Sequence, residues 1–96
     1  MFSITVKDGE ILLSGRFDAS RVDEASSVFD QVTGSCNVNF ADLEYISSAG
    51  LGVLLKTQKR LKESGKGLVL THMKKLVRDV FRIARFDLVF EIRESE

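Results

Sequence analysis

Asp42-Leu43-Glu44-Tyr45-Ile46-Ser47-Ser48-Ala49-Gly50-Leu51-Gly52-Val53-Leu54-Leu55 decides how this chain folds and where its chemistry sits. The order reads as a strand ending in an acid, a short apolar link, and two serines opening a helix. The first turns of that helix carry two glycines, Gly50 and Gly52. Glycine within a helix costs roughly 1 kcal/mol relative to alanine, so the pair calls for a physical reason. Close approach supplies one: without a Cβ, another backbone or another protein can reach Ser47, Ser48 and the free amides beside them. Those amides and the positive end of the helix dipole favour an anion, including a phosphate carried by a serine. The competing account is simpler. Serine is a preferred N-cap, and many helix-opening serines only accept a backbone hydrogen bond.

Working outward, Phe2 to Lys7 alternates apolar and polar residues with the period of a half-buried strand. Asp8-Gly9 is a two-residue hairpin signal, and Glu10 to Phe17 reads as the antiparallel partner. Asp18 closes that strand, and Ser20 with Asp23 resembles a capping box. Val22, Ala25, Val28, Phe29 and Val32 share a helical face that Gly34 ends. Cys36 to Phe40 is expected as a short strand. The helix opened by the serines is expected from Ser48 to Ser64, with Leu51, Leu54, Leu55 and Leu61 inward, Lys56, Lys59, Arg60 and Lys62 outward, and Gly65 as its C-terminal stop. Gly67 to Thr71 reads as a strand, Lys74 to Arg85 as a third amphipathic helix, and Leu88 to Ile92 as a final strand.

Alternating strands and helices imply parallel crossovers, with one antiparallel strand added by the hairpin. The predicted fold is therefore a small single-domain α/β structure over residues 1–96, with a mixed sheet and amphipathic helices. Parallel strands bring their carboxyl ends to one edge, where sites in open α/β folds collect. Asp18, Asp42, Ser47, Ser48 and His72 are all expected on that rim. Asp42 is expected to bond amides in the link to Ser47, with a partner-facing role as the alternative. For Asp18 the two roles weigh equally.

Composition narrows the function classes. In 96 residues, 14 Lys and Arg balance 14 Asp and Glu, which argues against general nucleic-acid binding. No apolar run approaches the ~20 residues of a membrane span, and no signal-peptide pattern opens the chain, so a cytoplasmic protein is expected. The single Cys36 cannot form an internal disulfide. One Cys and one His offer no zinc-ligand spacing, and no phosphate-cradling Gly-x-x-x-x-Gly-Lys loop is present, so no cofactor is expected. His72 near Ser48 could suggest a hydrolase, but the Gly-x-Ser-x-Gly elbow is absent and an enzyme is not expected. The basic run Lys74, Lys75, Arg78, Arg82 and Arg85 reads as a solvated face.

The segment Asp42 to Leu55 resembles the signature of the STAS domain of bacterial anti-sigma factor antagonists, and the similarity extends from about Ile4 to Ile92. Aligned on that pattern, the family's phospho-acceptor falls on Ser48. Ser47 stands where many members have aspartate, which makes it a secondary acceptor or the true cap. Gly50 and Leu51 match the pattern's Gly-Leu. The resemblance implies partner switching. The unphosphorylated form would bind an anti-sigma factor that is also a serine kinase of the histidine-kinase-like ATPase fold, phosphorylation would break the complex, and a separate serine phosphatase would reset it. The implied contact surface is Asp18, Asp42, Ser47, Ser48, Gly50, Leu51, Gly52, Val53, Lys56 and Thr57. The alternative is a STAS interaction subunit of a transporter or another signalling assembly that is never phosphorylated. The family's additional C-terminal helix is expected to be absent, because the sequence stops at Glu96 soon after the last predicted strand.

Overall fold

The computed structural model describes residues 1–93. Its elements run β1 (Phe2–Lys7), β2 (Glu10–Phe17), a 3₁₀ turn (Ala19–Arg21), α1 (Val22–Phe29), β3 (Cys36–Ile46), α2 (Ser48–Lys62), β4 (Leu68–Thr71), α3 (Lys75–Ile83), a second 3₁₀ turn (Phe86–Leu88) and β5 (Glu91–Arg93). The strands form one sheet in the order β1-β2-β3-β4-β5. Only the β1–β2 pair is antiparallel. The expected mixed α/β architecture is therefore the one observed. At the hairpin, Asp8 and Gly9 both take positive φ, 53° and 79°, the geometry that matches the twist of two paired strands.

Strand register separates the two faces of the sheet. Ile11, Val38 and Leu70 lie in one row and are buried, together with Leu13, Phe17, Phe40 and Leu68. The neighbouring row runs Thr5, Leu12, Asn39, Thr71, Arg93. Its largely polar side chains suit water, so this face needs no further cover. On the buried side, Phe81 of α3 meets Phe40 edge-on at 5.8 Å between ring centroids and Phe90 at 5.9 Å. Edge-to-face rings at this spacing add to the burial energy of the core.

Several boundaries differ from the sequence expectation, each for a tertiary reason. β3 does not stop at Phe40 but continues to Ile46, so Asp42 lies inside a strand rather than in a loop. Leu12 and Ser14 of β2 face Asn39 and Asp42, and Gly15 and Arg16 face Leu43 and Tyr45. At each of these steps β3 uses one residue more than β2, the signature of a bulge. That is how Phe40, Leu43 and Ile46, spaced by three, can all point into the core of a strand. α1 ends at Phe29 rather than near Gly34, because the guanidinium of Arg60 collects the carbonyls of Phe29 and Val32 at 3.0 and 2.8 Å. Arg60 thus anchors one helix to another instead of merely facing water. α2 stops at Lys62, where Lys66 N–H donates to Leu61 O and Gly65 N–H to Lys62 O. The residues from Phe86 to Leu88 coil into a 3₁₀ turn, which shortens the last strand to Glu91–Arg93.

Among the described residues, the buried polar side chains, Thr57 and Gln58, both lie on α2. Gln58 lies in phase with Leu51, Leu54 and Leu61 and is 2% exposed. Its amide accepts from Leu68 N–H at 2.8 Å and donates to Val89 O at 2.9 Å. One side chain therefore ties α2 to the start of β4 and to the segment leading into β5. The stripe phase was readable in the sequence, but the partners were not.

Candidate functional site at the start of the second helix

The site is built where β2 and β3 end together. Phe17 pairs with Ile46, and the amide of Ser47 donates to Phe17 O at 2.9 Å, which holds the strand-to-helix turn against the neighbouring strand. Ser47 takes an extended conformation, φ −89° and ψ 171°, and its hydroxyl accepts from Gly50 N–H at 3.2 Å. Its carbonyl accepts from Leu51 N–H at 2.9 Å. Ser47 is therefore the N-cap, and its oxygen is already engaged. Ser48 occupies the first helical position and is exposed, and among the described residues its hydroxyl has no hydrogen-bond partner. The first turn of α2 contains no acid, whereas its last turn carries Lys59, Arg60 and Lys62. The positive pole of the helix is thus left free at Ser48, the arrangement that tolerates an added anion.

The two glycines separate here. A Cβ on Gly50 would lie 2.9 Å from Ile46 Cγ1 and 3.1 Å from Phe17 O, so this glycine lets the helix seat against the ends of β2 and β3. A Cβ on Gly52 would meet nothing within 4 Å, and Gly52 is exposed. The close approach inferred from the sequence is internal at Gly50, while Gly52 faces open space.

The expected contact surface is corrected by burial. Gly50, Leu51, Val53 and Thr57 are all buried, and Thr57 donates its hydroxyl to Val53 O at 3.0 Å within its own helix. A partner at the outside of the helix cannot touch their side chains. Ser48, Gly52 and Lys56 are the members of that set on α2 that face outward. The surface implied by the resemblance included Val53 and Thr57, but α2 is packed by both the sheet and α1, so its buried arc is wider than one stripe.

The expected rim is only partly assembled. Asp18, next to Phe17, is level with Ser47, but it serves the local fold: one carboxylate oxygen accepts from Ser20 N–H at 3.0 Å and Ser20 hydroxyl at 2.6 Å. Asp18, not Ser20, therefore caps this turn. The Ser20 hydroxyl holds the Asp18 carboxyl below its usual 3.8, with smaller help from Arg21 and Arg16. Asp42 sits opposite Ser14 inside the sheet and, with Arg16, Glu44 and Lys74, lines a shallow open depression. The amides of the turn are held by Phe17 O and Ser47 instead of by Asp42. His72 follows Thr71, which pairs with Asn39. β3 runs on for another seven residues, on the order of 20 Å of strand, so His72 is remote from Ser48. A serine–histidine pair does not form. Arg16 went unremarked in the sequence; its guanidinium carbon lies 4.2 Å from the centre of the Tyr45 ring and so braces the end of β3.

Among the described residues no cluster of three or more His, Cys, Asp or Glu side chains could hold a metal ion. Nor, among the described residues, is any helix long and apolar enough to cross a membrane.

Comparison with known proteins places this geometry among relatives. The family model described as Mlab, STAS domain, matches residues 1–92. A Bordetella bronchiseptica protein provisionally named the anti-sigma factor antagonist BtrV is 45% identical over 53 residues. That match covers 55% of this chain and 46% of the relative, less than half its length. A crystal structure of a Thermotoga maritima protein, provisionally named an anti-sigma factor antagonist, superposes with a TM-score of 0.81 at 20% identity, covering 99% of this chain and 86% of that one. The unphosphorylated form of the anti-sigma factor antagonist SpoIIAA gives 0.74 at 19% identity, with coverage of 100% and 89%. The phosphorylated form of the Bacillus protein SpoIIAA gives 0.71 at 16% identity, with coverage of 100% and 92%. At these identities the structures establish the shared fold.

Proposed function

Because the chain belongs to the STAS domain family, we propose that it is an anti-sigma factor antagonist that works by partner switching, with Ser48 as the phospho-acceptor. The observation that carries this reading is the division of labour between the two serines. Ser47 caps α2 with its hydroxyl, and Ser48 presents an exposed hydroxyl at the positive helix pole. The name of the Bordetella relative supports the same reading.

In its unphosphorylated state the chain offers a small surface made of Ser48, Gly52 and Lys56, free of negative charge, to an anti-sigma factor that is also a serine kinase of the histidine-kinase-like ATPase fold. Transfer of the terminal phosphoryl group of ATP to Ser48 Oγ releases ADP, and the hydroxyl proton passes to a base on the kinase. The added group brings about −1.5 to −2 charges and three acceptor oxygens. At a helix N-terminus this charge is compatible with the fold, so the switch acts on the interface. The partner shaped for a hydroxyl is repelled, and a serine phosphatase restores the binding form. The chain is the substrate and binder of this cycle, performs no catalysis and works in the cytoplasm.

Peptide mass spectrometry of the chain purified from its native cells tests the assignment. Phosphate on Ser48 that varies with growth condition is expected, with Ser47 unmodified. A chain that stays unmodified throughout would instead favour a constitutive interaction subunit of a transporter or another signalling assembly.

A further inference from the structure

The third helix carries one wide apolar arc, only part of which the core covers. Val77 and Phe81 turn inward to the core, where both are buried. Leu76, Val80 and Ile83 line its outer edge: Val80 is half-buried and packs against the core, while Leu76 and Ile83 are 75% and 81% exposed. Their spacing of four then three is that of a coiled-coil seam, a narrow stripe that one partner helix covers. Beside it Leu76, Val77 and Val80 join Tyr45 and Ile46 in a largely apolar groove of about 240 Å³, whose inner border carries one acid, Glu44. Scattered apolar side chains on a surface need no explanation, but a line in heptad register beside an apolar groove does.

Charge indicates which partner fits. The whole chain is formally neutral, yet residues 74–85 hold five cations against the single acid Asp79. That acid borders the seam and is already held by Lys75 at 3.1 Å and Arg82 at 2.8 Å. Both cations remain largely exposed, with side chains 79% and 66% accessible. The outer border of the seam is therefore net positive. A lipid surface would need a broad apolar arc to sink into the bilayer, and most of the apolar arc of this helix is spent on the core.

From these features we infer that α3 is a second docking surface, which takes a single amphipathic helix of a partner protein with leucine-like side chains on the seam and acidic residues along its outer border, facing Lys75 and Arg82 and away from Glu44. This surface is separate from Ser48 and stands whether or not Ser48 is phosphorylated.

The test uses the full chain, with methyl and amide NMR as the readout. The probe is a synthetic three-heptad peptide with leucine at the core positions and glutamate beside them, and its counterpart with lysine in place of glutamate. The acidic peptide is expected to move the resonances of Leu76, Val80 and Ile83, and to weaken as salt is raised. A Leu76→Ser/Ile83→Ser variant should lose at least about tenfold in affinity, since two apolar anchors are removed. Both positions are exposed, so unchanged amide spectra in the core would show that the variant still folds. The inference is wrong if the acidic peptide does not bind, or if the lysine peptide or the variant binds equally well. It is also wrong if phosphatidylglycerol vesicles or a second copy of the chain occupy the seam in preference to the peptide.

Discussion

Gly50 and Gly52 stand two residues apart in one helix and have opposite reasons for being glycine. A methyl group at Gly50 would press on Ile46 Cγ1 at 2.9 Å and on Phe17 O at 3.1 Å, the latter being backbone that cannot swing away. Gly50→Ala is therefore expected to destabilise the protein by about 1–3 kcal/mol, the usual cost of overpacking. At Gly52 a methyl group meets only open space, and the gain in helix propensity should stabilise the fold by up to about 1 kcal/mol. Urea denaturation of the two variants checks both signs. If Gly50→Ala were as stable as the parent chain, the seating of α2 described above would be wrong. The two serines divide in the same way: cap geometry engages Ser47 and leaves Ser48 free, although the residue type is identical.

Among the elements, α2 is tied to its surroundings by polar side chains as well as by its buried apolar ones. Gln58 satisfies Leu68 N–H and Val89 O from within the core, and Arg60 closes the carboxyl end of α1. Replacement of Gln58 by leucine keeps the volume but leaves a buried donor and an acceptor unpaired. The expected loss is about 2 kcal/mol, because an orphaned buried polar group costs its desolvation. Thermal unfolding gives the magnitude, and amide exchange should report faster opening at Leu68 than in β2. An unchanged Leu68 would mean that the bond contributes nothing. Gln58 went unremarked in the sequence: residues 10 and 31 positions away supply its partners, and no local pattern encodes such pairs.

For the molecule as a whole, charge is neutral in sum and arranged locally. Asp18 and Asp79 both titrate below the ordinary carboxylate value of 3.8, the first mainly through the Ser20 hydroxyl and the second mainly through Lys75. Each binds its proton less readily folded than unfolded, so its contribution to stability is complete above about pH 4 and is lost as pH falls through the lower folded value. Both groups lie at the surface, where solvent screening keeps the effect small. The melting temperature should decline below about pH 4, and Asp18→Asn with Asp79→Asn should flatten that decline. An equally steep fall in the double variant would assign the acid sensitivity to other carboxylates.

The order of elements, the hairpin at Asp8-Gly9, the mixed α/β class and the two serines opening a helix were legible in the linear chain, because each rests on neighbours within a few residues: apolar period, turn chemistry, capping. Only the tertiary structure decided that β3 runs through Asp42 to Ile46, since its register comes from β2 some thirty residues earlier and needs two bulges that no period reveals. It alone removed Val53 and Thr57 from the outer surface, because a helix packed on two sides buries more than one stripe. It likewise set His72 apart from Ser48, because strand lengths, and not strand order, determine which carboxyl ends lie level. Local sequence dictates which conformation a segment prefers, whereas the depth, face and neighbours of each side chain follow from packing between segments far apart in the chain.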